Sequence, residues 1–193
     1  MNRYVKSRDD FQLMGKVTDP AKLSDACSTY RGRAGNKSAG EAAFVGFVPC
    51  GAVANSLFND TLRIAYIYAN KTKWYLPVKR TGIAWSSDRL YKYSNPSAVV
   101  WTDGQWARPP SWPRPLWELE EGLNGSENAG FENEDLIVWM RTAAFPYFRK
   151  PYRFVDERDP MIASGLPPGN YMLDVDYCMR CYARAYVHVH VHA

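Results

Sequence analysis

Apolar and polar residues alternate near the C-terminal end of the chain. Between residues 171 and 177 this alternation predicts a strand with one buried and one solvated face, as in an antiparallel sheet. The buried face is expected to hold Tyr171, Leu173, Val175 and Tyr177, and the solvated face Met172, Asp174 and Asp176.

The middle of the chain carries a hairpin pattern. Two runs rich in β-branched and aromatic residues, 62–68 and 74–78, flank a polar turn at residues 70–73. A further short strand is predicted to begin within residues 82–85.

The densest stretch is NEDLIVWMRTAAFPYFRKPYRFV, residues 133–155. Its apolar run at 136–142 is short for a helix and rich in β-formers, which predicts a buried strand. Pro146 ends that run. Residues 147–154 are predicted to form a short helix that Pro151 interrupts.

Before the hairpin, the chain is mostly polar. Residues 1–15 are interpreted either as a solvated surface loop or as a partner contact, and residues 16–46 as a long, mobile surface insertion. The predicted fold is therefore mainly β: an antiparallel β-sandwich-like domain with long inserted loops and one or two short helices.

Composition narrows the class of protein. The 193 residues are 46% hydrophobic and suit one domain, predicted at 1–177. A net charge of +4 with dispersed basic residues argues against a nucleic-acid partner, while weak attraction to anionic lipid headgroups stays open. No apolar stretch is long enough to span a bilayer, and the residues after Met1 do not resemble a signal sequence.

Several Asn-x-Ser/Thr patterns predict N-glycosylation in loops or turns. The four acceptors are Asn36, Asn59, Asn70 and Asn124. Asn70, at the predicted hairpin turn, is the best placed.

Two segments offer other chemistry. Residues 95–119 interleave prolines with Trp101, Trp106, Trp112 and Trp117, which indicates a connection packed on the sheet or, alternatively, the binding ledge of a secreted lectin-like module. Adjacent carboxylates at Glu134 and Asp135 would point to opposite faces of a strand, so capping and charge-pairing with Arg141 or Arg149 are preferred to glycosidase catalysis. We therefore predict no enzyme activity and no cofactor.

Five ordered motifs carry a family resemblance. They are RYVKSRDDFQL at 3–13, PCGAVANSLFNDT at 49–61, GIAWSSD at 82–88, the stretch at 133–155, and LPPGNYMLDVDY at 166–177. Together they resemble the cell division control protein 50 family, the accessory β-subunits of type IV P-type ATPases that flip phospholipids.

The resemblance implies a non-catalytic subunit that binds the ATPase catalytic subunit, supports its exit from the endoplasmic reticulum and contacts phospholipid indirectly. It also implies two membrane spans, absent from this chain, with this domain on the lumenal or outer face in the endoplasmic reticulum, Golgi and plasma membrane. A disulfide between Cys27 and Cys50 is implied likewise, worth roughly 3 kcal/mol, with free thiols in a reducing compartment as the alternative.

Aromatic and arginine residues dominate interface hot spots, so Trp139, Arg141 and Arg149 are candidate partner contacts. The alternative places the arginines in internal salt bridges and Trp139 in the core.

The last residues, 178–193, depart from the family pattern and are predicted to lie outside its fold. Their cysteines and alternating histidines suggest a metal site, but no second ligand pair supports one, and we predict none. The residues concerned are Cys178, Cys181, His188, His190 and His192.

Overall fold

The computed structural model describes residues 7–36, 43–57, 60–96, 104–119, 128–177 and, as backbone, 183–191. The chain divides into two compact units, which are described separately. Unit 1 comprises Met1–Leu57 and Thr81–Tyr152, and unit 2 comprises Phe58–Arg80 and Arg153–Ala193.

The strands are mostly short. In chain order they are β1 (Gly32–Ala34), β2 (Phe44–Phe47), β3 (Thr61–Ile67), β4 (Lys73–Tyr75), β5 (Val78–Lys79), β6 (Trp106–Ala107), β7 (Phe154–Val155), β8 (Gly169–Tyr177) and β9 (Ala183–Val191). The three longest, β3, β8 and β9, belong to unit 2.

The helices are short as well. The α-helices are α1 (Asp10–Leu13), α2 (Ala52–Asn55), α3 (Ser86–Tyr91) and α4 (Glu134–Met140), and the 3₁₀ helices are Pro20–Lys22, Asp25–Tyr30, Leu116–Glu118 and Gly130–Glu132. In the parts of the chain that the structure describes, every helix is too short or too polar to cross a bilayer. The predicted mainly β class, with small antiparallel sheets and short helices, is confirmed; the described residues hold four α-helices rather than one or two.

Unit 1 is built on a small sheet and one apolar core. The sheet has the order β1-β2-β6, in which β1 and β2 are antiparallel and β2 and β6 parallel. The core beside it gathers residues from almost every segment of the unit. Its fully buried members include Cys27, Cys50, Leu116, Phe131, Leu136, Ile137 and Met140.

The N-terminal region is part of that core rather than a surface loop. Asp9 caps α1 by accepting hydrogen bonds from the backbone N–H of Phe11 and Gln12. The buried Gln12 donates to the Phe47 carbonyl at 2.9 Å and accepts from the Cys50 N–H at 2.8 Å. The surface-loop interpretation is therefore wrong for the described part of residues 1–15.

The predicted surface insertion at residues 16–46 is also wrong over its described length. Leu23 and Cys27, which belong to this segment, are buried in the core. The segment contains two 3₁₀ helices and β1. These elements are too short to produce a periodic pattern of apolar residues in the sequence.

Helix α4 replaces the strand that was predicted at residues 136–142. The Asn133 side chain accepts a hydrogen bond from the Leu136 N–H at 3.1 Å, so an N-cap starts a helix. Leu136, Ile137 and Met140 are buried, and their spacing is that of one helix face. The Asn133 cap and this spacing outweigh the β propensity of the run.

Unit 2 contains an antiparallel four-stranded sheet with the order β4-β3-β8-β9. The predicted hairpin is confirmed in β3 and β4, where Ala65 pairs with Tyr75. The second predicted strand, 74–78, is divided instead: β4 ends at Tyr75, and Val78 pairs with Val155 of β7. Pro77 lies between them and lacks the N–H that a continuous ladder needs.

Strand β8 does not have the solvated face that was predicted. Met172 and Asp174 are buried, as are Tyr171 and Val175 on the other face. Side chains of the sheet itself cover part of this face, since the Tyr75 hydroxyl of β4 donates to Asp174 Oδ2 at 2.9 Å.

Two further predicted elements are absent from the described residues. Residues 82–85 form no strand and lead directly into α3, and residues 147–153 form no helix. Pro146 precedes the latter segment and Pro151 lies within it, so two backbone donors are missing within six residues.

Candidate interaction surface

The predicted partner-contact residues surround the C-terminal end of α4, in unit 1. Trp139 lies in the last turn of this helix, Arg141 at its C-cap and Arg149 in the segment that follows. The structure shows which of them are available at the surface.

Arg141 is an internal ion-pair partner. Its guanidinium donates to Oδ2 of Asp88 in α3, while Lys92 Nζ lies 2.6 Å from Oδ1 of the same carboxylate. Burial by itself raises the pKa of Asp88. The hydrogen bonds from Lys92 and Arg141 lower it by a larger amount, so the pKa lies below its usual value. The Arg141 guanidinium also lies over the Trp85 ring, 4.5 Å from its centroid.

A second ion pair joins the same two helices. Glu134, the first residue of α4, is buried, and its Oε1 lies 3.2 Å from Arg89 Nη1 of α3. Its Oε2 accepts a hydrogen bond from the Ala84 N–H at 2.8 Å. The predicted pairing of this carboxylate with Arg141 or Arg149 is wrong, and both oxygens are engaged in holding the chain rather than facing a substrate.

Trp139 is half-buried and packs against the core. Its indole N–H donates to the Val53 carbonyl at 2.9 Å. The Lys150 ammonium lies over its ring, 5.4 Å from the centroid. These contacts agree with the interpretation of Trp139 as a core residue.

Two cations close the C-terminal end of α4. Lys150 Nζ donates to the Trp139 carbonyl at 2.5 Å, and the Arg8 guanidinium donates to the Met140 carbonyl. Carbonyl groups at a helix end lack partners within the helix, so these bonds satisfy acceptors that would otherwise be exposed. Burial, together with the positive charge of Arg8, lowers the pKa of Lys150.

The segment between Arg141 and Lys150 is strongly exposed. Phe145, Tyr147 and Phe148 are 76%, 95% and 61% accessible, and Arg149 is exposed beside them. We call residues 145–149 the aromatic loop. The helix predicted at residues 147–154 is wrong here, and the two prolines together with the repeated aromatics are the sequence signals that favour an exposed loop.

The disulfide implied by the family resemblance is present. Cys27 and Cys50 are bonded, with their Cα atoms 5.6 Å apart, and both are buried in the unit 1 core. The bond joins a 3₁₀ helix to the turn that precedes α2.

The geometry at Asn70 suits a glycan acceptor. The residue is exposed at the β3–β4 turn, and its side-chain oxygen accepts from the Thr72 N–H at 3.0 Å and the Thr72 hydroxyl at 2.6 Å. Asn36 is exposed too. Asn59 and Asn124 lie outside the described residues.

Two of the four tryptophans of the proposed lectin ledge are buried. Trp106 and Trp112 are buried, and the Trp112 indole N–H donates to the Ala54 carbonyl at 2.7 Å. Trp117 is partly exposed, and Trp101 lies outside the described residues. In the described part of this segment, Trp106 and Trp112 pack inward.

The candidate metal ligands of the tail lie outside the described residues: Cys178, Cys181, His192 and the side chains of His188 and His190. Within the described ranges, no three His, Cys, Asp or Glu side chains group as a metal site. Backbone pairing of β9 with β8 spans nine residues. Whether residues 178–193 lie outside the family fold stays a prediction.

Comparison with known proteins identifies the family. The family described as LEM3 (ligand-effect modulator 3) family / CDC50 family matches residues 1–183. Cell cycle control protein 50A of Mus musculus is 41% identical over 181 residues, covering 91% of this chain and 46% of the relative. Cell cycle control protein 50B of Homo sapiens is 38% identical over 181 residues, with 91% and 48% covered.

A plant relative extends the comparison. ALA-interacting subunit 3 of Arabidopsis thaliana is 35% identical over 156 residues, covering 78% of this chain and 35% of the relative. The chain thus spans about half the length, or less, of the curated relatives it matches. Since the family match covers nearly the whole chain, this protein belongs to the LEM3/CDC50 family.

Proposed function

We propose that this protein is a non-catalytic accessory subunit of a type IV P-type ATPase, which it binds and whose exit from the endoplasmic reticulum and phospholipid flipping it supports. ATP hydrolysis and lipid movement would belong to the catalytic subunit. Family membership over residues 1–183 is the observation that carries the proposal. The name of the plant relative, an ALA-interacting subunit, supports a role in binding another protein.

The arrangement of charged residues also favours a binding role over catalysis. The buried carboxylates of Asp88 and Glu134 are each held by cations from the neighbouring helix. Groups held in this way contribute to the fold and are not poised for proton transfer to a substrate.

We place this domain on the lumenal or outer face of the endoplasmic reticulum, Golgi and plasma membrane. The Cys27–Cys50 disulfide supports an oxidising compartment, because such bonds persist there. The exposed acceptor geometry at Asn70 supports glycosylation in the same pathway.

Among the proposed contact residues, we assign Arg149 to the partner interface. We assign Trp139 and Arg141 a positioning role, in which they hold the chain next to Arg149. Arg149 is exposed, whereas the other two side chains are engaged within unit 1. An exposed arginine on a loop can reach a partner carboxylate without losing an internal bond.

The test is co-purification of a co-expressed type IV ATPase with wild-type protein, Arg149→Ala and the matched control Arg33→Ala. Arg33 is another exposed arginine of unit 1. Loss of an interface hot spot of more than about 1.4 kcal/mol should lower ATPase recovery about tenfold for Arg149→Ala, with an unchanged unfolding midpoint. Equal recovery with both variants removes Arg149 from the interface, and no recovery with wild-type protein rejects the function.

A further inference from the structure

The aromatic loop exposes a contiguous group of large apolar side chains. Three aromatic side chains, Phe145, Tyr147 and Phe148, are each more than half accessible within four residues. Scattered single apolar residues are normal on a protein surface, but a contiguous group marks an interaction site.

The structure holds this loop in its exposed position. Lys150, at the C-terminal base, donates to the Trp139 carbonyl, and its ammonium lies 5.4 Å from the centroid of the Trp139 ring and 5.7 Å from that of Phe148. Pro146 within the loop and Pro151 after it restrict the backbone. The rings therefore do not need to be ordered from a free chain when they bind, which lowers the entropic cost of binding.

The charge around the loop has one sign. Residues 142–152 contain Arg149 and Lys150 and no Asp or Glu. The nearby acidic residues Glu134 and Asp135 lie at the opposite end of α4. The loop therefore complements a negatively charged surface.

Exposed aromatic rings beside cations match the chemistry of a bilayer interface. Aromatic rings lie at the headgroup level of membranes, and basic residues near the surface are attracted to anionic lipids by about 1 kcal/mol each. A protein partner with a single pocket would anchor one ring, whereas a bilayer accepts several adjacent rings at once.

We propose that the aromatic loop docks on a phospholipid bilayer surface that contains anionic lipid. Phe145, Tyr147 and Phe148 enter the headgroup region, and Arg149 faces lipid phosphate and carboxylate groups, while Lys150 stays bonded to the Trp139 carbonyl at the base of the loop. The contact is direct and does not depend on the ATPase. Arg149 is shared with the partner interface proposed above, but the three aromatic residues are not, so they separate the two proposals.

The test is sedimentation of the 193-residue chain with vesicles, using phosphatidylcholine alone and phosphatidylcholine with about 30% phosphatidylserine. Wild-type protein should bind the anionic vesicles at least about fivefold more tightly, which is the contribution of one basic residue. Raising the salt concentration should weaken that binding, because exposed charges are screened.

The triple variant Phe145→Ser, Tyr147→Ser, Phe148→Ser should lose at least about tenfold in vesicle affinity, since each ring it removes buries apolar surface in the interface. Phe11→Ser is the matched control because Phe11 is 64% accessible in the same unit but lies outside the loop. Its affinity should stay within about twofold of wild type, and the unfolding midpoints of all variants should agree.

Two results would overturn the proposal. One is wild-type protein that sediments equally with and without anionic vesicles. The other is a triple variant that binds vesicles as wild type does; if that variant also recovers less ATPase, the loop is a protein contact instead. Vesicle binding that persists in the absence of any ATPase partner supports the lipid contact even where the proposed subunit function fails.

Discussion

Replacing Arg141 tests whether this residue acts in folding or in partner contact. The Asp88 side chain is 2% exposed, whereas those of Arg141 and Lys92 are 40% and 57% exposed. Truncation in Arg141→Ala leaves the buried carboxylate with one cation, Lys92, instead of two. We therefore expect a loss of stability even though Arg141 itself is half-solvated.

The magnitude follows from the bonds removed. A hydrogen bond to a charged group is worth about 1.5–3 kcal/mol, and we take the lower part of that range because water screens the exposed guanidinium. The contact with Trp85 adds about 0.5–1 kcal/mol, the value for an exposed cation over an aromatic ring. Arg141→Ala should thus lower the unfolding free energy by about 2 kcal/mol.

The assay is denaturant unfolding of wild type, Arg141→Ala, Asp88→Asn and the double variant. In the Asp88→Asn background, Arg141→Ala should cost only the Trp85 contact, giving a coupling energy of about 1–1.5 kcal/mol between the two residues. An Arg141→Ala protein as stable as wild type, with reduced ATPase recovery, would refute the folding role and make Arg141 a contact residue.

The pH dependence gives an independent check on the same pair. The pKa of Asp88 in the folded protein lies below its usual value of 3.8, so the unfolded state binds the proton more readily. The stabilisation is complete above that usual value and is lost as the pH falls through the folded pKa. Wild type should therefore lose more stability than Asp88→Asn on acidification below about pH 4.

The other predictions concern a modification and a buried phenol. Asn70→Gln and Thr72→Ala should each remove one glycan from secretory-pathway protein, seen as the same mobility shift on a gel, whereas exposed Lys71→Ala should retain it; an unshifted Asn70→Gln band would exclude this acceptor. Burial raises the pKa of Tyr93 to about 12, so stability should decline as the pH rises from about 10, where the unfolded tyrosine ionises, to about 12. Tyr93→Phe should reduce this alkaline loss by about 2–3 kcal/mol in a denaturant titration, and identical slopes for the two proteins would contradict the assignment.

Local sequence patterns predicted the hairpin well and helix α4 badly. The β3–β4 hairpin is formed by two runs of β-branched and aromatic residues on either side of a polar turn. All three features lie close together in the sequence, so a local pattern is enough to predict the hairpin. The run at residues 136–140 has apolar residues in succession, and such a run does not by itself distinguish a buried strand from a buried helix. The hydrogen bond between the Asn133 side chain and the Leu136 N–H favours the helix. In the sequence, an asparagine before an ambiguous apolar run is only a weak signal of a helix start.

Long-range pairing decided the rest of the candidate surface. The sequence by itself determined the family, the mainly β class, the hairpin and the residue types that can bind a partner. Only the tertiary structure decided that Arg141 meets Asp88, 53 positions away, that Glu134 meets Arg89, and that Arg149 and the aromatic loop stay outside. The physical reason is that a charged side chain is buried only where the fold supplies a counter-charge or hydrogen bonds. For Asp88 and Glu134 those partners are set by how α3 and α4 pack, which no spacing along the chain encodes.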